Sequence, residues 1–486
     1  MTTTQWAALD TRPRQASLPP LVLAGCGTVG GALLDLIRAG QGSDDAVRSV
    51  LVRDPERPRA IPLPRGRHVT DPGDLPVEGG ATVVEALGGE EPALSLARRT
   101  LRGGGTFITA NKVLVAEHGI ELQTLARVHR GRFAFEASVG AAMPIVRLLR
   151  DLPPEAEVRQ VEGILNGTSN YLLDALGRGA RWEEALAEAQ RLGFAEADPG
   201  RDIDGRDALD KASILGWLAF GVAPADLLRW RIGILPDPEL LAREARRAGG
   251  VPRLLARVRP VEGATLRIEA SVHPCVALSG SEWAGVREAG NRAEVRTERG
   301  GVLSVSGPGA GGDATATALL TDLRDLRAPH PGPELRPGGA PIPPERGAEN
   351  RHRIENRDSI EARDSIEARH RAEARDSAEA AHRREIWQHD PARHRTETRP
   401  STEIWHLSAD TRIPGLPQVE VRDRIERVLD RAQIERGRFE RSDGRWRVRI
   451  ETSATARVVL IRERLSALDL RPVLLRELKG GMSERG

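Results

Sequence analysis

The chain has 486 residues, a formal net charge of +2, 29% charged residues and 39% hydrophobic residues. That length exceeds a single compact core and calls for about two to four domains. Two cysteines, Cys26 and Cys275, exclude a disulfide framework and a multi-cysteine zinc site, and so small a net charge excludes a chain-wide basic surface for nucleic acid.

No apolar run reaches the roughly 18 residues of a transmembrane helix, and the first 20 residues lack the apolar core of a secretory signal. Residues 1–20 read as a disordered extension. The scarcity of cysteine fits a reducing, cytoplasmic compartment. The basic residues are lopsided: of 72 Lys plus Arg, three are lysines (Lys112, Lys211 and Lys479), which leaves 69 arginines. A lysine retained in such a chain marks a place where arginine cannot serve, because only lysine gives up its proton near neutral pH when buried. Lys479, near the C-terminus, reads as chance survival.

LVLAG, 21–25, is an apolar run that reads as a buried parallel strand. Gly25-Cys26-Gly27-Thr28-Val29-Gly30 follows, and then a helix to Gly40. Strand, GxGxxG and helix in this order form the dinucleotide-binding arrangement, with the pyrophosphate at the helix N-terminus. SVLVRD, 49–54, reads as the second strand. At its end Arg53 suits the 2′-phosphate of NADP and Asp54 the ribose hydroxyl of NAD; either is also an ordinary loop charge. ATVVEALGG, 81–89, is a further strand, EPALSLARRTLRGG a helix, and TFITANKVLV, 106–115, places Lys112 just past strand TFIT. Alternating strands and helices imply a doubly wound parallel sheet with ligands beyond its carboxyl ends. In FAFEASVGAAMPI, 133–145, a strand and a turn of small residues, the acid Glu136 needs a cation or backbone donors.

Beyond residue 150 the pattern changes. Residues 158–176 read as strand, polar loop and helix, and WEEALAEAQRLG as a helix ending at Gly193. Six acids then fall between Glu196 and Asp210, with Lys211 next. Asp207 and Lys211 are four apart on a predicted helix and share a face. The apolar run behind them and the rarity of lysine favour a pair partly buried in a cleft over a surface salt bridge. Residues 251–306 carry several strands, and GPGAGG, 307–312, opens another helix. Residues 327–400 are Pro- and Gly-rich, with four imperfect charged hexapeptides, and read as a solvated linker. Residues 401–486 give the order βαββαβ of the ferredoxin-like unit and are expected to form a separable domain.

The motifs GCGTVG (25–30), VVEALGG (83–89), TANKVLVAEHG (109–119), FEASVGAAMPI (135–145), ILNGTSNY (164–171), the acidic stretch 187–215 and GPGAG (307–311) together resemble homoserine dehydrogenase, of the kind without a kinase domain. The resemblance implies a Rossmann-type α/β dinucleotide domain (21–150), an α+β substrate and dimerisation domain (151–306) and a helix returning to the first domain (307–326). It implies an ACT-like regulatory domain over 401–486 after the charged linker. By the same resemblance Lys211 is the general acid and base, Lys112 a second active-site lysine and Asp207 their companion. Glu196 binds the substrate's amino group, and Asp202 is another substrate-binding acid. Glu136 and the main chain at Val139, Ala141 and Met143 hold a monovalent cation, taken as sodium in the family. Gly25, Gly27, Thr28, Val29, Gly30, Arg53, Lys112, Gly193 and Gly311 contact the dinucleotide, NADP or NAD. A homodimer and a threonine effector are implied as well.

There are departures from the family pattern. Ala141-Ala142-Met143 stands where the family has Gly-Gly before Ile-Pro, Asp210 precedes Lys211, and the C-terminal unit shows few ACT residues. The expected reaction interconverts L-homoserine and L-aspartate 4-semialdehyde. Reduction needs a lysine ammonium to protonate the forming alkoxide, and oxidation needs the amine, which arginine cannot supply. Aspartate-semialdehyde dehydrogenase is disfavoured because it needs a cysteine nucleophile: Cys26 lies inside the glycine turn and Cys275 has no motif around it.

Overall fold

The LVLA run forms β1 (Leu21–Ala24) of a computed structural model that describes residues 17–234, 237–261, 267–326, 403–410, 425–429, 435–442, 445–452 and 472–478. After β1 come α1 (Thr28–Gln41), β2 (Val47–Leu51), β3 (His68–Val69), β4 (Thr82–Glu85), α2 (Ala93–Arg102), β5 (Thr106–Thr109), α3 (Lys112–Val128) and β6 (Arg132–Ala134). The six strands form one parallel sheet in the order β3-β2-β1-β4-β5-β6. The order reverses between β1 and β4, and that crevice is where such sheets bind ligands.

Side chains alternate across a strand. Leu21 and Leu23 therefore pack with Leu33, Leu34 and Ile37 of α1, while Val22 and Ala24 face the layer holding Leu96 and Leu101 of α2 and Leu114 and Leu122 of α3. Burying each such leucine or isoleucine stabilises the fold by about 1.5–3 kcal/mol.

Three local readings shift. α1 runs past Gly40 to Gln41 and ends on Gly42 at φ 75°, the left-handed cap that glycine favours. β2 stops at Leu51 rather than 54, because after Val52 donates to the Val69 carbonyl the chain leaves the sheet. Lys112 opens a helix, α3, which the sequence reading did not assign.

The chain continues through α4 (Ile145–Asp151), β7 (Val158–Ile164), α5 (Gly167–Gly177), α6 (Trp182–Arg191), α7 (Gly200–Ile203), α8 (Arg206–Phe220), β8 (Leu228–Arg231), α9 (Pro238–Arg247), β9 (Gly250–Val261), β10 (Arg267–Leu278), β11 (Gly290–Thr297) and β12 (Gly301–Pro308). These strands form a second sheet in the order β12-β11-β7-β9-β10, with β8 beside β10. Leu254, Ala256 and Val258 of β9 share a core with Leu172 and Leu173 of α5 and Leu215 of α8. Arg253, fully buried, holds Asp174 of α5 at 3.1 Å and the carbonyls of Ala284 and Val286, which ties the loop before β11 to α5. α10 (Gly312–Asp325) then returns to the first sheet, where Ala316, Leu319 and Leu323 pack with the α1 leucines.

Four C-terminal strands follow: β13 (Glu403–Asp410), β14 (Glu435–Ser442), β15 (Arg445–Thr452) and β16 (Pro472–Leu478), with a short helical stretch at 425–429. Their order, β16-β13-β15-β14, is antiparallel throughout. The second predicted helix of this unit, the linker 327–400 and the extension 1–16 lie outside the described residues. The expectation of a separable C-terminal domain is not met in one respect. β16 pairs in parallel with β10, Cys275 opposite Arg476 and Ala277 opposite Leu478, so these strands extend the second sheet and belong to one unit with it.

Candidate functional site

The glycine turn shows why its residues are small. Gly25 sits at φ 99°, and a Cβ there would lie 2.7 Å from the Ala86 carbonyl; one on Gly30 would lie 2.0 Å from the Gly25 carbonyl. Strand, turn and helix thus pack closer than any side chain allows. Gly27 faces open space and is exposed together with Thr28. No side chain caps α1, so its first amides, around Thr28 and Val29, are free for an anion. α10 also starts without a side-chain cap, on Gly311 at φ 118°, and a Cβ on Gly312 would meet the Thr28 carbonyl at 3.0 Å. The two helix starts therefore adjoin. Arg53 and Asp54 are exposed just beyond β2, and Gly193, at φ 77°, is exposed after α6.

The carboxyl end of β5 and the start of α8 bring the two lysines together on one acid. Asp207, its side chain 4% exposed, accepts the Lys112 ammonium on Oδ1 and the Lys211 ammonium on Oδ2, both at 2.8 Å. Lys211, itself 11% exposed, also donates to the Leu165 carbonyl at 2.8 Å. Burial opposes the charge on Asp207, but the two ammonium groups, Lys211 foremost, outweigh it and hold the carboxyl far below its usual range. Burial likewise opposes the Lys112 ammonium, and Asp207 more than compensates, leaving its pKa above the usual lysine value. Asp210, next to Lys211 in sequence, turns instead to Arg201 at 2.9 Å and Arg229 at 3.0 Å.

Asn166, at the N-terminus of α5, is a member of this site that sequence reasoning missed. Its Oδ1 accepts the Ser169 amide at 2.7 Å as a helix cap, and its Nδ2 donates to Asp202 at 2.7 Å and Asp207 at 2.8 Å. The signal was an asparagine directly before a helix, inside the quoted ILNGTSNY. Asp202 is pushed above the usual aspartate range by burial and by neighbouring Asp207. Such a carboxyl is steadied by a cation beside it. Glu196 lies on an exposed loop and its carboxylate forms no hydrogen bond or ion pair with a described residue.

Glu136 belongs to a second group. It is buried; its Oε1 accepts the Val146 amide at 3.1 Å, its Oε2 has no partner, and its amide donates to Asp322 of α10 at 3.0 Å. Burial and Asp322 push Glu136 up to about 8, and burial takes Asp322 to about 7. Val139 and Met143 are buried in the turn that follows, where Ala141 takes the positive φ of 51°. Asp322, too, escaped the sequence reading. Among described residues, Glu90, Glu117 and His118 also cluster at the surface near α3.

Two family models match, one described as the homoserine dehydrogenase NAD binding domain over residues 25–136 and one as homoserine dehydrogenase over 144–323. A homoserine dehydrogenase of Synechocystis sp. is 34% identical over 314 residues, which is 63% of this chain and 72% of that protein.

The chain belongs to the homoserine dehydrogenase family.

The solved structure of a homoserine dehydrogenase from Thiobacillus denitrificans superposes with a TM-score of 0.67 at 26% identity, covering 94% of this chain and 98% of that one. A hyperthermophilic archaeal homoserine dehydrogenase in complex with NADPH has a TM-score of 0.52 at 25% identity and covers 64% of this chain and 98% of its own. Like the family, the protein is an NAD(P)-dependent oxidoreductase that acts on the hydroxyl of L-homoserine. Its reaction, the interconversion with L-aspartate 4-semialdehyde, belongs to threonine, methionine and isoleucine biosynthesis. Among the described residues no helix is long and apolar enough to cross a membrane.

Proposed function

We propose that Lys211 is the general acid and base of this reaction. The observation that carries the reading is one buried carboxylate, Asp207, shared at 2.8 Å by the two lysines that this arginine-rich chain retains in its first half. A bound nicotinamide dinucleotide supplies or takes up the hydride; the open Gly27 turn and the uncapped amides of α1 suit its pyrophosphate. In reduction the Lys211 ammonium gives its proton to the oxygen that gains negative charge, and in oxidation the amine takes it back. Asp207 holds that nitrogen in place. Lys112, more than a third exposed, reaches from the same carboxylate towards the cleft. Asp202, held by Asn166, and Glu196 receive the substrate ammonium, the cation that a raised carboxyl favours.

Lys211→Arg tests this. Arginine keeps the charge and cannot shuttle the proton, so kcat for homoserine-dependent NADPH formation should fall by about 10²-fold or more. Near wild-type turnover in that variant refutes the role.

NADP is the proposed cofactor, on the strength of Arg53 just beyond β2. A monovalent cation, sodium by family resemblance, suits the second group: a buried Glu136 oxygen without a partner beside a second acid is what a cation would satisfy. Glu136 and the carbonyls of Val139, Ala141 and Met143 would hold it. A melting temperature that rises with sodium in wild type and not in Glu136→Gln checks this.

The protein is further read as a cytoplasmic homodimer joined through the second domain. For the C-terminal strands we propose an ACT-like regulatory role with threonine as effector, supported by their β16-β13-β15-β14 order. Allostery requires threonine to bind two states of the enzyme unequally. Threonine titration of the full chain, with kcat and KM unmoved at saturation, would remove that effector.

A further inference from the structure

Glu85 is the last residue of β4 and is fully buried. Nothing in strand formation asks for an acid there; the neighbouring Val83 and Val84 make the strand. The carboxylate is retained with a donor on each oxygen. Its Oε1 accepts the amides of Leu87 at 2.7 Å and Gly88 at 3.1 Å, and its Oε2 accepts the Thr109 hydroxyl. Burial pushes this carboxyl upward, against those three donors.

The connections run on from Thr109. Its Oγ1 accepts the Asn111 amide at 2.9 Å, and the Asn111 side chain accepts the Leu114 amide at 3.2 Å as the cap of α3. The Asn111 Nδ2 donates to the Gly89 carbonyl at 2.5 Å. One carboxylate therefore ties the turn after β4 to the turn after β5. The next residue is Lys112, the first of α3.

We propose that Glu85 is a positioning residue for the reaction: through Thr109 and Asn111 it sets where α3 begins, and so where the Lys112 ammonium meets Asp207. This rests on the reading of Lys112 as an active-site lysine. A glutamine of the same shape cannot replace it. If the amide oxygen accepts the two backbone N–H groups, its N–H₂ faces Thr109, which must then turn its own hydroxyl hydrogen away. Misplacing a reacting group by about 1 Å costs up to about 10²-fold in rate.

The test is a double-mutant cycle of Glu85→Gln and Lys112→Met, read as kcat, homoserine KM, dinucleotide Kd by NADPH fluorescence, and melting temperature. Glu85→Gln should lower kcat by on the order of tenfold while leaving dinucleotide Kd within about twofold. In the Lys112→Met background the same change should cost less than about twofold, because coupled residues are non-additive. An unchanged kcat in folded Glu85→Gln overturns the proposal, and so does a full tenfold loss in the Lys112→Met background. If Lys112→Met alone leaves kcat untouched, the reading of Lys112 fails first and the proposal falls with it. Should Glu85→Gln not fold, Thr109→Val removes only the link: kcat should drop, and Thr109→Ser should restore it. Wild-type turnover in Thr109→Val overturns the proposal.

Discussion

Replacing Asp207 with asparagine removes the one negative charge between two ammonium groups and keeps the shape. The carboxylate now receives Lys112, Lys211 and the Asn166 amide. An asparagine oxygen can serve only some of these, and its own N–H₂ would point at an ammonium or at another amide donor. Removing one partner of a buried ion pair costs about 3–5 kcal/mol. Lys112 is 37% exposed and can turn to solvent, so its share is discounted, leaving about 2–4 kcal/mol, mostly from the stranded Lys211. For a chain of 486 residues that corresponds to a fall in melting temperature of about 2–4 °C. Without its counter-ion, Lys211 also loses its position, so kcat should fall by about 10²-fold or more. Thermal melting at pH 7.5 and steady-state oxidation of homoserine measure the two effects on one sample. A melting temperature within 1 °C of wild type, by the same scale about 1 kcal/mol at most, together with kcat within threefold, would refute the account of this site.

The pH dependence of that difference gives a second check. Asp207 is depressed in the folded protein, so its stabilisation is complete above the ordinary aspartate pKa of about 3.9 and disappears as pH falls through the lower folded value. The gap in melting temperature between wild type and Asp207→Asn should therefore be constant near neutrality and shrink below about pH 4; a gap independent of pH down to 2 contradicts the shift. Arg53→Ala should weaken NADP binding by about tenfold or more and NAD far less, because only NADP carries the 2′-phosphate; equal losses show that Arg53 does not read it. Ala141→Gly should raise stability by about 0.5–1 kcal/mol in a denaturant titration, since the residue pays for a positive φ that glycine adopts freely. A loss of stability would mean that the methyl packs better than the backbone strain costs.

What the sequence made legible was local. The glycine turn could be read because its requirement for small residues lies within six positions, and the Asp207–Lys211 contact because a helix puts residues four apart on one face. Lys112 reaches Asp207 from 95 positions away, and no local pattern announces that. α3 was missed because Val113, Leu114 and Val115 look like a strand; the Asn111 cap decides otherwise. Asn166 and Glu85 stood inside quoted motifs as polar residues in apolar surroundings. Their partners, Asp207 and Thr109, come from other elements, so their roles appear only once the chain is folded.

The pairing of β16 with β10 has a consequence for synthesis. Cys275–Ala277 wait for Arg476–Leu478, which are made 201 residues later. At about 5–20 residues per second, the nascent chain carries that backbone edge uncovered for roughly 10–40 s. An uncovered strand edge is a template for pairing with other chains. The enzyme's catalytic half is thus finished long before its second sheet can close, and the yield of native protein should depend on how well that edge is shielded in the interval.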